Sequence, residues 1–188
     1  MKIITIDSPL QDILKTKTEE IQENELWLAQ EIYEKLLLAL KPYLPAAGLA
    51  APQIGMSKSV FIFSFDRDPQ NLEAVINPKF VPAGNAKIEG WEGCLSVILS
   101  DGIWKLAKIP RYEAIQVTYL NLAGEKIEKI LEGFAAKVFQ HEYDHLQGIV
   151  NIDRDDATIQ TFDTKENMLQ FMSQVKKEDS VHYKKPSV

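Results

Sequence analysis

Apolar and polar positions follow two different periods along this chain, and the changes of period mark its elements. In "ENELWLAQEIYEKLLLALKPYL" the apolar residues Leu28, Ile32, Leu36 and Leu40 recur every four positions, one face of a helix. Pro42 predicts its end, because proline has no backbone N–H and clashes with the preceding turn. "PAAGLAAPQIG" follows and reads as a loop of small residues punctuated by glycine and proline. "SVFIFSF" and "EAVINPKFV" read as buried strands, the second interrupted by Pro78. "WEGCLSVILSDGIWKLAKIP" has no clean period and receives no assignment. "EAIQVTYLNL" puts Ile115, Val117 and Tyr119 on one strand face, and the turn at Ala123-Gly124 predicts a hairpin with the strand after it. From Gly133 to Gly148 the period becomes helical. The rest, Asn151 to Val188, is polar, with a short helix expected around "KENMLQFMSQVKK" and a frayed tail over residues 175–188.

The order is helix, several strands, late helix. This is not the alternation that builds a parallel sheet. It predicts an α+β fold: antiparallel strands packed around a central helix, with an N-terminal helix. A length of 188 residues fits one domain, residues 1–188.

The late helix carries the chemistry. With Phe134 at zero, Val138 falls at about 40°, His141 at about −20° and His145 at about 20°, at about 100° per residue. The apolar part of this stripe is expected to face the interior and to carry both histidines inward. Their spacing of four lets both rings meet one ion. Glu142, about 100° around from His141, can point past the ion toward a water, which is the mechanical content of the H-E-x-x-H pattern. A hydrogen-bonded core histidine or a solvated polar patch gives the same letters, so a third ligand is needed. The protease extension with a later histidine is absent, and His182 lies in the polar tail. Glu166 and Glu178 sit in no motif. Cys94 is the remaining candidate, since a thiolate binds zinc or ferrous iron strongly, although a lone cysteine is commonly a small buried hydrophobe.

Three segments together resemble the peptide deformylase family: "GLAAPQIG" (Gly48 to Gly55), "EGCLS" (Glu92 to Ser96) and "QHEYDHLQG" (Gln140 to Gly148). Weaker similarity in "PRYEAIQV" and "LEGFAAKVFQHE" extends the match over most of residues 48–153. The resemblance implies Cys94, His141 and His145 as metal ligands and Glu142 as general acid/base. It implies the Gln53 amide and the Leu95 N–H as oxyanion donors and Gly48 as a backbone contact to substrate. It places Phe134 and Val138 in the methionine pocket, with Glu92 and Arg111 as an ion pair beside it. The implied cofactor is one divalent ion, Fe(II) foremost, with Zn(II) or Ni(II) as alternatives. The implied reaction is hydrolytic removal of formyl from the N-terminal methionine of nascent polypeptides. Hydroxide from metal-activated water attacks the formyl carbon and formate is released. Transient ribosome contact follows from that substrate.

Two departures from the family pattern stand out. Ala46 replaces a glycine before "GLAAPQ", and "VILSDGIWKLAKIPRY" is longer than the family's usual segment and lacks its arginine. The second leaves peptide selectivity open, with Trp104 and Leu106 as candidate new apolar contacts. A metalloprotease, a His₂Cys copper site, a deformylase with an altered peptide substrate and a non-catalytic peptide- or ribosome-binding relative are the competing readings. The missing protease ligand and the retained Glu142 argue against the first, second and last.

Composition narrows the setting. A net charge of −6 argues against broad nucleic-acid binding, so no DNA partner is expected. No apolar run approaches the roughly 20 residues of a membrane helix. The start, "MKIITIDSPLQDILKTKTEE", has no signal-peptide core. The expected location is cytoplasmic; a mature organellar protein would read the same.

Overall fold

The computed structural model describes residues 2–66, 68 and 70–182, with side chains to residue 175. Its architecture is α+β, in five stacked layers: helix, sheet, helix, sheet, helix. The first layer is α1 (Leu26–Leu40), which buries Ala29, Ile32, Leu36, Ala39 and Leu40. Pro42 falls in a 3-10 turn, Lys41–Tyr43, directly after it.

The second layer is a five-stranded antiparallel sheet: β1 (Gly48–Ala50), β2 (Val60–Ser64), β3 (Leu72–Pro82), β6 (Ala114–Leu120) and β7 (Lys126–Glu132), in the order β1-β2-β3-β6-β7. All of β2 is buried, because it is covered on both faces. Successive side chains in a strand point to opposite sides. Val60 and Ile62 therefore join Leu49, Ile76 and α1, while Phe61 and Phe63 join Val75, Ile115 and Val117 on the other face. Pro78 does not interrupt β3. The ladder to β6 slips between Ile76 and Lys79 and the strand continues. Asn77 takes the left-handed φ of 50° there. Its amide offsets that conformation by binding the Ile21 carbonyl (2.7 Å) and N–H (2.9 Å).

The third layer is α2 (Gly133–Leu146). Its apolar face, Ala136, Phe139 and Leu146, packs into the five-stranded sheet. The Phe139 ring meets Phe61 at 5.1 Å and Phe63 at 5.7 Å, both edge-on. The histidine stripe of Phe134, Val138, His141 and His145 is carried inward, but against a different layer from Phe139. Its centre lies roughly 130° around the helix from Phe139. Val138 packs at the edge of the Phe139 cluster, and of the four stripe residues His145 is fully buried and the others half-buried. The helix is covered on two sides, and its histidines face a second sheet.

That second sheet is the fourth layer: β4 (Lys87–Ile98), β5 (Trp104–Tyr112) and β8 (Thr158–Phe162), antiparallel in the order β4-β5-β8. The segment without a readable period is thus a long β4–β5 hairpin. Its tip closes through the Gly102 N–H to the Leu99 carbonyl (3.1 Å), with Gly102 at a φ of 84°. The fifth layer is α3 (Lys165–His182), longer than the expected short helix and running into the stretch expected to fray. Met168, Phe171 and Met172 anchor it on Leu106, Phe162, Trp91 and Trp104. Trp104 and Leu106 therefore pack under α3, on the face of the sheet turned away from α2. The rest of the expected frayed tail, residues 183–188, lies outside the described residues. Among the described residues, no helix is long and apolar enough to cross a membrane.

Candidate metal centre and active site

Strand alternation on β4 turns Glu92, Cys94 and Ser96 toward α2, and all three are buried. The i, i+4 spacing on α2 turns His141 and His145 toward β4. The Cys94 sulfur and His145 Nε2 meet at 3.2 Å. Ligand atoms of Cys94, His141 and His145 all lie within 4.8 Å of one another. Neighbouring ligands of a tetrahedral ion with bonds of about 2.0–2.3 Å stand roughly 3.3–3.6 Å apart, so this cluster is of the right size. A thiolate and two imidazoles also suit zinc or ferrous iron chemically.

His141 Nδ1 lies 2.9 Å from Glu92 Oε2, which reserves its Nε2 for an ion. Glu92 is itself held by Arg111 in a two-pronged pair, Nε to Oε1 and Nη2 to Oε2, both at 2.9 Å. Arg111 Nη1 donates to Asp144 at 2.6 Å, and Arg154 donates to the same carboxylate oxygen at 3.0 Å. Burial opposes a charge on Glu92, but the hydrogen bonds from Arg111 and His141 outweigh it and hold its pKa at about 2. Burial and the nearby His141 push His145 well below its ordinary value, into the neutral form that ligates.

Glu142 sits between the two packed faces of α2, against β1. It is buried, and its Oε2 has no hydrogen-bond partner. Burial lifts its carboxyl to about 7, a value suited to exchanging protons at neutral pH. Gly48 adjoins it so closely that a Cβ there would stand 2.5 Å from Glu142 Oε1. A side chain at residue 48 would thus force the carboxylate to move, a consequence additional to the substrate contact expected from sequence.

Gln53 lies in a 3-10 turn, Ala51–Ile54, immediately after β1. Its Oε1 accepts from the Ala50 N–H at 2.9 Å, and its Nε2 lies 3.7 Å from the Cys94 sulfur. Regular β4–β5 pairing breaks between Gly93 and Ile98, the stretch that carries the Leu95 N–H. Irregular pairing of this kind is common beside active sites. Phe134 and Val138 are half-buried on the histidine stripe.

The site therefore gathers Cys94, His141, His145, Glu142, Gln53 and Gly48. Glu92 and Arg111 pair as expected, and the pair also reaches His141. Sequence reasoning missed Asp144 and Ser96, although both stand inside the motifs that drew attention, two residues from Glu142 and Cys94. It also missed Gln140, whose amide binds both the N–H and the carbonyl of Tyr112 and fastens α2 to the end of β5. A polar residue on a buried helix face is the signal that could have found it.

Comparisons with known proteins agree with this geometry. The family model described as polypeptide deformylase matches residues 1–161. Peptide deformylase 2 of Ralstonia nicotianae is 46% identical over 111 residues, 55% of this chain and 60% of that protein. The peptide deformylase of Fusobacterium nucleatum is 38% identical over 144 residues, covering 77% of this chain and 79% of its own. Among solved structures, peptide deformylase from Thermotoga maritima superposes with a TM-score of 0.68 at 34% identity, over 81% of this chain and 95% of its own. A class I type b peptide deformylase from Acinetobacter baumannii with Met-Ala-Ser bound gives 0.70 at 30% identity, over 82% and 98%. Fold, cluster and motif order thus point the same way: the chain belongs to the polypeptide deformylase family.

Proposed function

We propose that this protein removes the formyl group from the N-terminal methionine of newly made polypeptides, releasing formate and a free amine, and that residues 1–188 act as one catalytic domain. The observation that carries the reading is the meeting of Cys94, His141 and His145 beside a buried Glu142 carboxylate with an unpaired oxygen. Cys94, His141 and His145 would hold one divalent ion, Fe(II) in our reading, with Zn(II) or Ni(II) as substitutes. Such an ion supplies acidified water and a Lewis acid at neutral pH.

The chain's own residues do the rest. Glu142 takes a proton from the attacking water and returns it to the nitrogen as the C–N bond breaks, while the water oxygen leaves in formate. The Gln53 Nε2 and the Leu95 N–H donate to the carbonyl oxygen as it gains charge. Glu92, fixed by Arg111, keeps the His141 ring in one orientation and tautomer. Phe134 and Val138 offer an apolar wall for the methionine side chain. Strands β1 and β4 flank the site, and each ends its own sheet. An extended peptide can pair with such an open edge, its backbone held and its first side chain directed at α2. The tripeptide bound by the Acinetobacter relative supports a short peptide beginning with methionine. A cytoplasmic location and brief contact with the ribosome follow from a nascent-chain substrate.

The test is formate release from formyl-Met-Ala-Ser by protein prepared anaerobically with its metal quantified. Well-metallated protein that releases no formate would sink the proposal. Glu142→Ala should keep its metal and lose turnover, by two orders of magnitude or more, of the order expected for a general acid/base (roughly 10²–10⁴-fold).

A further inference from the structure

Ser96 has no part in the reaction as set out above, yet it is fully buried on the β4 face that carries Cys94. We infer that Ser96 is a positioning residue for the Gln53 carboxamide and decides which of its two N–H bonds faces the reacting oxygen. The inference rests on the deformylase reading and deepens it.

Gln53 is only 2% exposed, so the protein must satisfy its amide. The Ala50 N–H is a donor, which requires the oxygen end of the amide on that side (2.9 Å). The nitrogen end then faces β4. There Nε2 donates to Ser96 Oγ at 3.0 Å and lies 3.7 Å from the Cys94 sulfur. An amide nitrogen has two hydrogens. Ser96 holds one in an ordinary hydrogen bond. The other points toward the ligand sulfur across a long, weak contact, and it is the one available to an oxyanion forming beside Cys94.

The backbone repeats the arrangement. The Ile4 N–H donates to the Gln53 carbonyl at 2.8 Å, and the Ile6 N–H donates to the Ser96 carbonyl at 2.9 Å. One N-terminal segment thus ties together the residue that donates and the residue that aims it. Without the Ser96 hydroxyl, one buried amide hydrogen loses its acceptor. The carboxamide then turns more freely about its last bond, a broad torsion with little preference of its own. A serine that merely filled space would leave that torsion alone.

The experiment compares Ser96→Ala, Gln53→Ala and the double variant, each with metal content measured. Ser96→Ala should lower kcat about tenfold, short of the roughly 10²–10³-fold lost with a whole oxyanion donor. KM and metal content should stay put. On the Gln53→Ala background the serine change should cost nothing more, because it acts only through Gln53. An equal loss on both backgrounds overturns the inference. A readout free of turnover is the pair of Gln53 side-chain amide proton resonances in ¹⁵N-labelled protein. The parent should show two distinct, slowly exchanging signals, and Ser96→Ala should show faster exchange and a smaller separation. Unchanged signals also overturn it. If the parent releases no formate, the proposed function falls while these resonances still decide the role of Ser96.

Discussion

Gly48 lies close against Glu142, and the fit makes a single methyl group informative. A Cβ at residue 48 would meet Oε1, Cδ and Cγ of Glu142 at 2.5, 2.8 and 2.9 Å. Gly48→Ala should therefore displace the carboxylate and lower kcat about a hundredfold, the scale of a misplacement near 1 Å. Metal content should be unchanged, since the atoms nearest the added methyl group all belong to Glu142. Glu92 makes a different kind of test. Its folded-state pKa, about 2, lies below its ordinary 4.5. A depressed carboxyl stabilises the fold above the unfolded value and loses that stabilisation as pH falls. Acid titration of the unfolding free energy should thus show a loss of about 3 kcal/mol between about pH 4.5 and 2, absent in Glu92→Gln. A variant with the same acid slope as the parent would show that the Glu92 carboxylate is not its source.

At the scale of elements, α2 explains what could and could not be read in advance. Its period was read from the side that carries Phe134, Val138, His141 and His145. The fully apolar side, Ala136, Phe139 and Leu146, was not singled out, and the partners of the histidine side could not be read because they are polar and distant in sequence. The β4–β5 hairpin was unreadable for the same reason. Glu92 and Arg111, charged and buried, occupy positions where alternation predicts apolar residues, while Trp91, Trp104 and Leu106 on the other face are claimed by α3. Pro78 misled in the opposite direction: a ladder slip and the paired amide of Asn77 carry β3 past it. The candidate metal cluster was legible because the histidine spacing is local on α2 and because Cys94 belongs to a recognisable motif. Asp144, Gln140 and Ser96 were not, since a partner's identity comes only from the fold. Phe139, at the centre of four aromatic neighbours, should be the costliest core truncation on α2. Phe139→Ala is expected to lower stability by about 3–5 kcal/mol in denaturant melts. A loss under 1 kcal/mol would mean that the core collapses into the gap.

The whole molecule is a stack in which the two sheets share no strand, and α3 lies beyond the 161 residues matched by the family model. Removing residues 164–188 should uncover Trp91, Trp104, Leu106 and Phe162. The shortened protein should bind a hydrophobic dye and melt several degrees lower, and an unchanged melting temperature would show that α3 adds no stability. Layering has one more consequence. Cys94 belongs to one sheet and both histidines belong to the helix packed against the other, 47 positions downstream at His141 and 51 at His145. An ion seated there is a cross-link between layers, closing long loops as a disulfide would. Chelation should then loosen the stack unevenly. Amide hydrogen exchange should quicken first along β4, β5 and β8, while β2, sealed between two helices, keeps its protons longest.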